Sequence, residues 1–388
     1  MRTTLGSVGV TYGGLAGKVG KDFGHGDAQF VTFTEVMASA RLTGRSLARV
    51  DVRKGEMQNA VRRGDFLFNE SAETPEEVAL ATVVDFDPPK DVFLNSFCFG
   101  YRLTRSDQID PAFLALFFRS KPGREIVFGL AQGATRYNIA KTKLLQVPLQ
   151  LPEFDEQQRI AAQITECDDL IRSYEKLISK KRDLKQGLMQ ELLTGNLRLP
   201  GFHDEWKTFR LGDHVTYVRS VALSRAQLDF SSPTKCLHYG DIHTRHSTRL
   251  DADSEELPRS PAHLVRTAGF LRPGDLVFAD ASEDPAGVGK SVEITSVPVE
   301  GVVAGLHTIA ARFDKRVLAD GFKGYLQFIG AFRSQLLSLA AGTKVLATTR
   351  KYISSIELRL PGIEEQQAIT EVLLDVDDEI ASIEHRLK

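Results

Sequence analysis

The sequence predicts a mixed α/β (α+β) protein: two similar globular halves joined by two long antiparallel coiled-coil helices, related by a pseudo-twofold internal repeat. Three observations carry this. Leu151-Pro152 followed by Glu156-Gln157-Gln158 returns as Leu360-Pro361 followed by Glu365-Gln366-Gln367, 209 residues later (365 less 156). After each copy the apolar residues keep step: Ile160, Ile164, Cys167, Ile171, Tyr174 and Ile178 against Ile369, Leu373, Val376, Ile380, Ile383 and Leu387. Both runs advance 4-3-4-3-4, the a/d seam of a helix with period 3.5. Short strand-and-turn segments in the first half also have counterparts in the second. Solenoid units repeat every 20 to 50 residues or so, so a repeat this long implies two domains of similar design, each closed by a helix.

Taken in chain order, residues 30–36 alternate like a strand and match residues 236–242. Arg63-Gly64-Asp65-Phe66-Leu67-Phe68 matches Pro273-Gly274-Asp275-Leu276-Val277-Phe278, a turn feeding an apolar strand. Residues 95–103 align with 305–313, setting Arg102 opposite Arg312. Asp110-Pro111 opens a helical stretch through Phe118, with a counterpart over 321–329. Gly133-Ala134-Thr135-Arg136 aligns with Gly342-Thr343-Lys344-Val345. The first long helix is expected from Glu156, capped by Asp155, to about Leu193, where Thr194-Gly195-Asn196 ends it. The second is expected from Glu365. Residues 180–193 have no counterpart in the second copy, so the second helix is either short or truncated. The boundaries are then 1–150 and 201–356 for the globular domains, with helices in 151–200 and 357–388.

A hydrophobic content of 42% supplies ordinary cores. No apolar run approaches the roughly 18 residues of a membrane span, and no charged-then-apolar leader opens the chain. Cys98, Cys167 and Cys236 lie far apart in apolar or mixed sequence, which reads as buried thiols in a reducing, cytoplasmic setting. The net charge of -2 hides a division. Residues 1–150 hold 19 Lys+Arg against 16 Asp+Glu, and residues 201–356 hold 19 against 17. The acid is concentrated in residues 357–388, with 3 against 9. The globular halves are mildly basic, which weakly favours local basic faces on them.

Most motifs that would carry catalysis fail on inspection. Asp87-Pro88-Pro89-Lys90 has the frame of an amino-methyltransferase loop, but Lys90 stands where an aromatic must stack on the base. Residues 284–291, ending Gly289-Lys290-Ser291, imitate a phosphate-binding loop. Asp284 replaces the first glycine, and Pro285 removes an amide donor. Glu205-Trp206-Lys207 lacks the Pro-Asp pair of a nuclease, and His238, His243 and His246 lack acidic or cysteine partners at metal spacing. The chain reads as non-catalytic and metal-free.

Polar and basic side chains at matched loop positions remain. These are Thr32, Thr34, Glu35, Arg41 and Arg45 in the first half, and His238, Tyr239, Asp241, His243, Arg245 and His246 in the second. The glycine loops add Thr135 with Arg136, and Thr343 with Lys344. Arg and Lys pair with guanine edges or phosphates, and Asp or Glu accepts from cytosine. Each cluster is a candidate DNA-binding surface.

With these residues in hand, the chain resembles the specificity (S) subunit of type I restriction–modification systems over nearly its whole length. The carrying features are the Leu-Pro lead-in with Glu-Gln-Gln before each helix, and the run from Lys185 through Leu188-Met189-Gln190-Glu191-Leu192-Leu193 to Gly195. Residues 206–213 and Tyr239-Gly240-Asp241-Ile242 add to them. The resemblance implies two target-recognition domains, each reading half of a split site on double-stranded DNA. The helices would set the spacing and dock two methylation (M) subunits. It assigns that role to Gln157, Gln158, Ile160, Ile164, Ile171, Tyr174, Ile178, Leu184, Leu188 and Leu192, and to Gln366, Gln367, Ile369, Leu373, Ile380 and Ile383. No cofactor is implied in this chain. S-adenosylmethionine and ATP belong to the M subunits and to restriction (R) subunits, and no membrane is involved. The residues alone also fit a non-catalytic helical scaffold with two protein-binding domains, which salt-dependent duplex binding would separate from the first reading.

Overall fold

The computed structural model describes residues 2–105, 107–133, 136–340 and 346–387, and the chain divides into two compact units, Met1–Arg172 and Ser173–Lys388.

Unit 1 is built on a five-stranded sheet in the order Gly9–Gly13, Cys98–Leu103, Phe66–Asn69, Ala81–Val84, Arg41–Leu42. Only the last pair is parallel. Its central strand is buried on both faces, which explains why Phe66-Leu67-Phe68 reads as a continuous apolar run. One face stacks Phe68 on Phe99 at 5.2 Å and edges it against Phe118 at 5.6 Å. On the other, Leu67 packs with Val31, Val36 and Val84. A second sheet orders Ala48–Val50, Phe23–Val31 and Val92–Leu94, and a small third one pairs Ser71–Ala72 with Tyr137–Ile139.

Residues 30–36 do not form the single strand expected. The strand stops at Val31, and helix α1 (Phe33–Ala38) follows. Thr32 is the cause: its Oγ1 accepts the backbone N–H of Glu35 at 3.2 Å, an N-cap that turns the chain. A helix this short shows no 3.6-residue period, so alternation alone misreads it. The helix expected after Asp110 is present as Pro111–Arg119, with the Asp110 carboxylate accepting from the Phe113 N–H at 2.8 Å. The long helix α2 runs Phe154–Leu192.

Unit 2 repeats the sheet as Val215–Val218, Thr308–Phe313, Leu276–Ala279, Ser291–Ser296, Arg249–Asp251. Phe66 answers to Leu276 and Cys98 to Thr308, an offset of 210 in both cases (276 less 66, 308 less 98). Here too the expected strand over 236–242 ends early, at Leu237, and gives way to helix α3 (Tyr239–His243). The closing helix α4 spans Ile363–Leu387.

The matched turns owe their sequence to a matched ion pair. Asp65 and Asp275 are each 1% exposed. Asp65 receives Arg102 in bidentate fashion, at 2.7 and 2.6 Å, and the Arg62 N–H at 2.8 Å. Asp275 receives Arg312 at 2.8 and 2.6 Å and the Arg272 N–H at 2.8 Å. The intervening Gly64 and Gly274 have φ of 81° and 90°, a left-handed turn that glycine adopts freely. Burying a carboxylate requires such partners.

The repeated glutamines are structural. Gln157 and Gln366 are both 0% exposed. Gln366 accepts from the Ala319 N–H at 2.9 Å and donates to the carbonyls of Val317 and Pro361 at 2.8 and 2.9 Å. Gln157 accepts from the Asp110 N–H at 3.0 Å and donates to Gln108 and Pro152 at 3.2 and 3.0 Å. They fasten each helix to its own domain and are closed to a partner subunit, contrary to the docking role the resemblance gave them. Gln158 and Gln367 are exposed.

Within unit 2 the end of α2 and α4 pack as an antiparallel pair. Lys185 bonds Asp377 at 2.6 Å, Arg182 bonds Glu384 at 2.7 Å, and Lys181 meets Glu379. Ile178, Val376 and Ile380 form the buried seam, with Leu188 and Ile383 at its margin. Ile369, Leu373 and Leu192 belong instead to the core of unit 2, and Ile160 packs on the core of unit 1. Tyr174 is half-buried, and Ile164, Cys167, Ile171 and Leu184 are exposed. Cys167 is therefore not the buried thiol expected. Cys98 and Cys236 are buried, and burial pushes each thiol up to about 12.

Candidate nucleic-acid interface

In unit 2 the candidate residues gather where the strand Thr234–Leu237 hands over to α3. His238 is buried and caps the helix, its Nδ1 accepting the Gly240 N–H at 3.4 Å, while Asp241 accepts the His238 N–H at 2.9 Å. Burial, with Arg225 nearby, holds the His238 imidazole below its ordinary pKa. The Tyr239 ring lies at the centre of three imidazoles, 4.6 Å from His238, 6.0 Å from His243 and 5.5 Å from His307. Tyr239, His243 and His307 line a cleft of about 560 Å³ with Ala281, Glu283 and Asp284.

The remaining candidates of this half are differently employed. Asp241 is committed to Arg225 at 2.7 Å and Arg245 to Glu255, so both serve the fold. His246 is exposed and lines another cleft, beside Arg182 and Lys185 of α2. Among the described residues, no three His, Cys, Asp or Glu side chains gather closely enough to hold a metal ion. Thr343 and Lys344 lie outside the described residues, as does Thr135.

In unit 1, Thr32 and Glu35 occupy the first turn of α1, half-buried, with Thr34 exposed beside them. Arg45 is exposed on the turn before Ala48–Val50. Arg41 departs from the expected role: its guanidinium bonds Asp85 at 2.6 Å and Asp169 of α2 at 3.0 Å. It fastens the helix to the sheet edge, and two carboxylates already satisfy the charge that a phosphate would take. Arg136 follows Gly133 and sits over the ring of Phe97 at 5.7 Å. Phe97 is 57% exposed.

Two groups of residues escaped the sequence reading. Phe97 and His307 occupy the same turn of the two units (307 less 97 is 210), between Val92–Leu94 and Cys98–Leu103 and between Val302–Ala304 and Thr308–Phe313. The alignment of 95–103 with 305–313 contained them, but their exposure was invisible. The second group is a pair of half-buried cations that hold the carbonyl ends of the short helices. Arg119 donates to the carbonyls of Val36, Met37 and Ala81 at 2.8, 3.1 and 2.6 Å, and burial pulls its pKa down to about 10. Lys290 donates to the His243 carbonyl at 2.6 Å and is likewise lowered by burial. This is what the imitation phosphate loop does. The same turn recurs in unit 1, where Pro75–Glu77 is equivalent to Pro285–Gly287 and Ala79-Leu80-Ala81 stands in place of Gly289-Lys290-Ser291.

Comparison with known proteins gives three concordant results. Residues 61–180 match the type I restriction modification DNA specificity domain. The putative type I restriction enzyme MjaX specificity subunit of Methanocaldococcus jannaschii is 21% identical over 325 residues, covering 81% of this chain and 72% of that protein. The MjaVIII specificity subunit of the same organism is 24% identical over 281 residues, covering 68% and 63%. Among solved structures, the type I restriction–modification S subunit from M. genitalium superimposes with a TM-score of 0.56 at 12% identity, covering 100% of this chain and 91% of that one. The HsdS subunit from Thermoanaerobacter tengcongensis gives 0.51 at 16%, again over 100% and 91%. Among the described residues, no helix is long and apolar enough to cross a membrane.

Proposed function

We propose that this chain, which belongs with the specificity subunits of type I restriction–modification systems, is the DNA sequence-recognition subunit of such a complex, each unit reading one half of a two-part site. The observation that carries this is the internal duplication. The two units share sheet order, turn and buried ion pair at an offset of 210, yet present different side chains at matched positions: Thr32, Glu35 and Phe97 against His238, Asp241 and His307. One framework with two unlike reading surfaces suits one duplex with two unlike half-sites. In this reading the chain transfers no methyl group and cuts no DNA. Methylation subunits bring S-adenosylmethionine, restriction subunits bring ATP-driven cleavage, and exposed Ile164, Ile171 and Leu184 on α2 serve subunit contact. The globular segments carry small positive excesses, so the chain alone binds duplex modestly, and tight binding needs partners that neutralise more phosphates.

The test is an exchange of residues 1–150 for the matching segment of a relative, with methylated sites mapped across a genome. One half of the motif should change and the other half persist. A motif altered in both halves at once would refute independent reading by the two units.

A further inference from the structure

We infer that His307 and Phe97 are specificity-determining residues at equivalent places in the two reading surfaces: the His307 imidazole accepts a hydrogen bond from the exocyclic amino group of cytosine or adenine, and Phe97 makes apolar contact with a thymine methyl. The inference rests on the DNA-reading function proposed above and adds what each unit reads.

The argument begins with the backbone. His307 has φ of 56°, a left-handed conformation that residues other than glycine adopt only uncommonly. Glycine would close this turn without strain, yet an imidazole is held there with its side chain 51% exposed. Strained positions of this kind concentrate at binding sites. Its Nδ1 lies 3.1 Å from the Asp280 carboxylate. A carboxylate only accepts, so Nδ1 faces it as the donor, and in the tautomer that carries its hydrogen on Nδ1 the outward Nε2 is an acceptor. Tyr239 meets the ring edge-on, with an interplanar angle of 82°, and fixes its plane.

The surroundings decide what such an acceptor meets. The cleft is lined by Tyr239, His243, Ser282, Glu283 and Asp284 beside His307, with no Lys or Arg among its described walls. The Glu283 carboxylate there repels phosphate and favours donor groups. In the major groove the donors are the cytosine N4 and adenine N6 amino groups. Phe97 sits in a contrasting place. The residue equivalent to Asp280 is Glu70 (280 less 210), which is paired with Lys141 at 3.2 Å. Arg136 covers one part of the exposed phenyl. An apolar ring beside a cation suits a thymine methyl in the groove next to a phosphate or guanine edge.

The experiment uses the full chain assembled with its methylation subunits and S-adenosylmethionine, acting on whole genomic DNA, with modified positions mapped by sequencing. The variants are H307G, H307N and F97A. H307G relieves the turn and removes the acceptor. H307N tolerates the left-handed backbone and retains an acceptor oxygen. With H307G, one cytosine- or adenine-containing base pair in one half-site should lose its selectivity by roughly 5- to 150-fold, with the other half-site and the separation unchanged. H307N should retain more of that selectivity, and F97A should relax a T·A pair in the other half-site. A two-part motif left unchanged by both H307G and F97A would overturn the inference while leaving the proposed function standing. So would an equal loss on every sequence, which is the mark of a phosphate contact. A wild-type complex that writes no two-part motif would remove the parent reading, and this one with it.

Discussion

Replacing Gln366 with leucine keeps the volume of the side chain and deletes three hydrogen bonds at a site with no access to water. Left behind are the Ala319 N–H and the carbonyls of Val317 and Pro361. A buried backbone group without a partner costs about 1–3 kcal/mol. The N–H has no alternative acceptor of its own, whereas each carbonyl tolerates partial satisfaction. The working figure is therefore about 3 kcal/mol, near the bottom of the summed range. In a unit of this size that lowers the thermal midpoint by roughly 6–12 °C and the urea midpoint by about 1 M or more. Chemical unfolding of the isolated full-length chain, followed by far-UV circular dichroism, measures it. Gln367→Ala, one position along and exposed, should stay within about 0.5 kcal/mol of wild type. The pair discriminates between two roles. If Gln366 served subunit docking, the leucine variant would leave the isolated chain as stable as before and weaken only assembly. A shift below about 0.5 kcal/mol would refute the structural role.

Two further outcomes follow from the same reasoning. Asp275→Ala strips Arg312 of its bidentate partner and the Arg272 N–H of its acceptor; because Arg312 keeps some access to solvent, the loss should be about 2–3 kcal/mol by urea unfolding, and Asp65→Ala, which also takes the acceptor from the Tyr12 hydroxyl, should cost at least as much in unit 1. His238 has a folded pKa below its unfolded one, so the unfolded chain takes up the proton more readily. Stability is then full above the ordinary histidine value of about 6.5 and falls as pH drops through the lower folded value. Thermal midpoints between pH 7.5 and pH 5 should fall more steeply for wild type than for His238→Thr, which installs the cap that Thr32 provides in unit 1. Parallel slopes would show that His238 does not titrate with folding.

The duplication and the helices were legible because both are long-period signals: one motif twice, and apolar steps sustained over six positions. The short helices α1 and α3 were not, because five or six residues carry less than two turns of pattern and the deciding bond is a side-chain cap. Gln157 and Gln366 were conspicuous in sequence and assigned to the wrong surface, since a repeated polar residue looks the same whether it faces a partner or the backbone beneath it. Arg41 reached the candidate site by nearness in sequence, and Asp169, 128 residues away, takes it out of reach. The aligned Arg102 and Arg312 were visible, but their carboxylates, 37 residues off in each unit, were not. Phe97 and His307 illustrate the last gap. Sequence shows that two residues correspond, but not that both stand in solvent.

Arg119 and Lys290 bear on how reading surfaces of this kind can be exchanged. Each braces the carbonyl end of a short helix, but they are not counterparts: Leu80 stands where Lys290 does (290 less 210). A graft of residues 238–246 into unit 1 would bring the tyrosine and histidines without the lysine beneath them, and would rest on a guanidinium aimed at a different turn. The smallest interchangeable cassette is therefore the whole domain with its own brace, not the loop that touches the duplex. An engineer who wants a new half-site from this framework should cut at the domain boundaries, or carry the bracing cation along with the surface it supports.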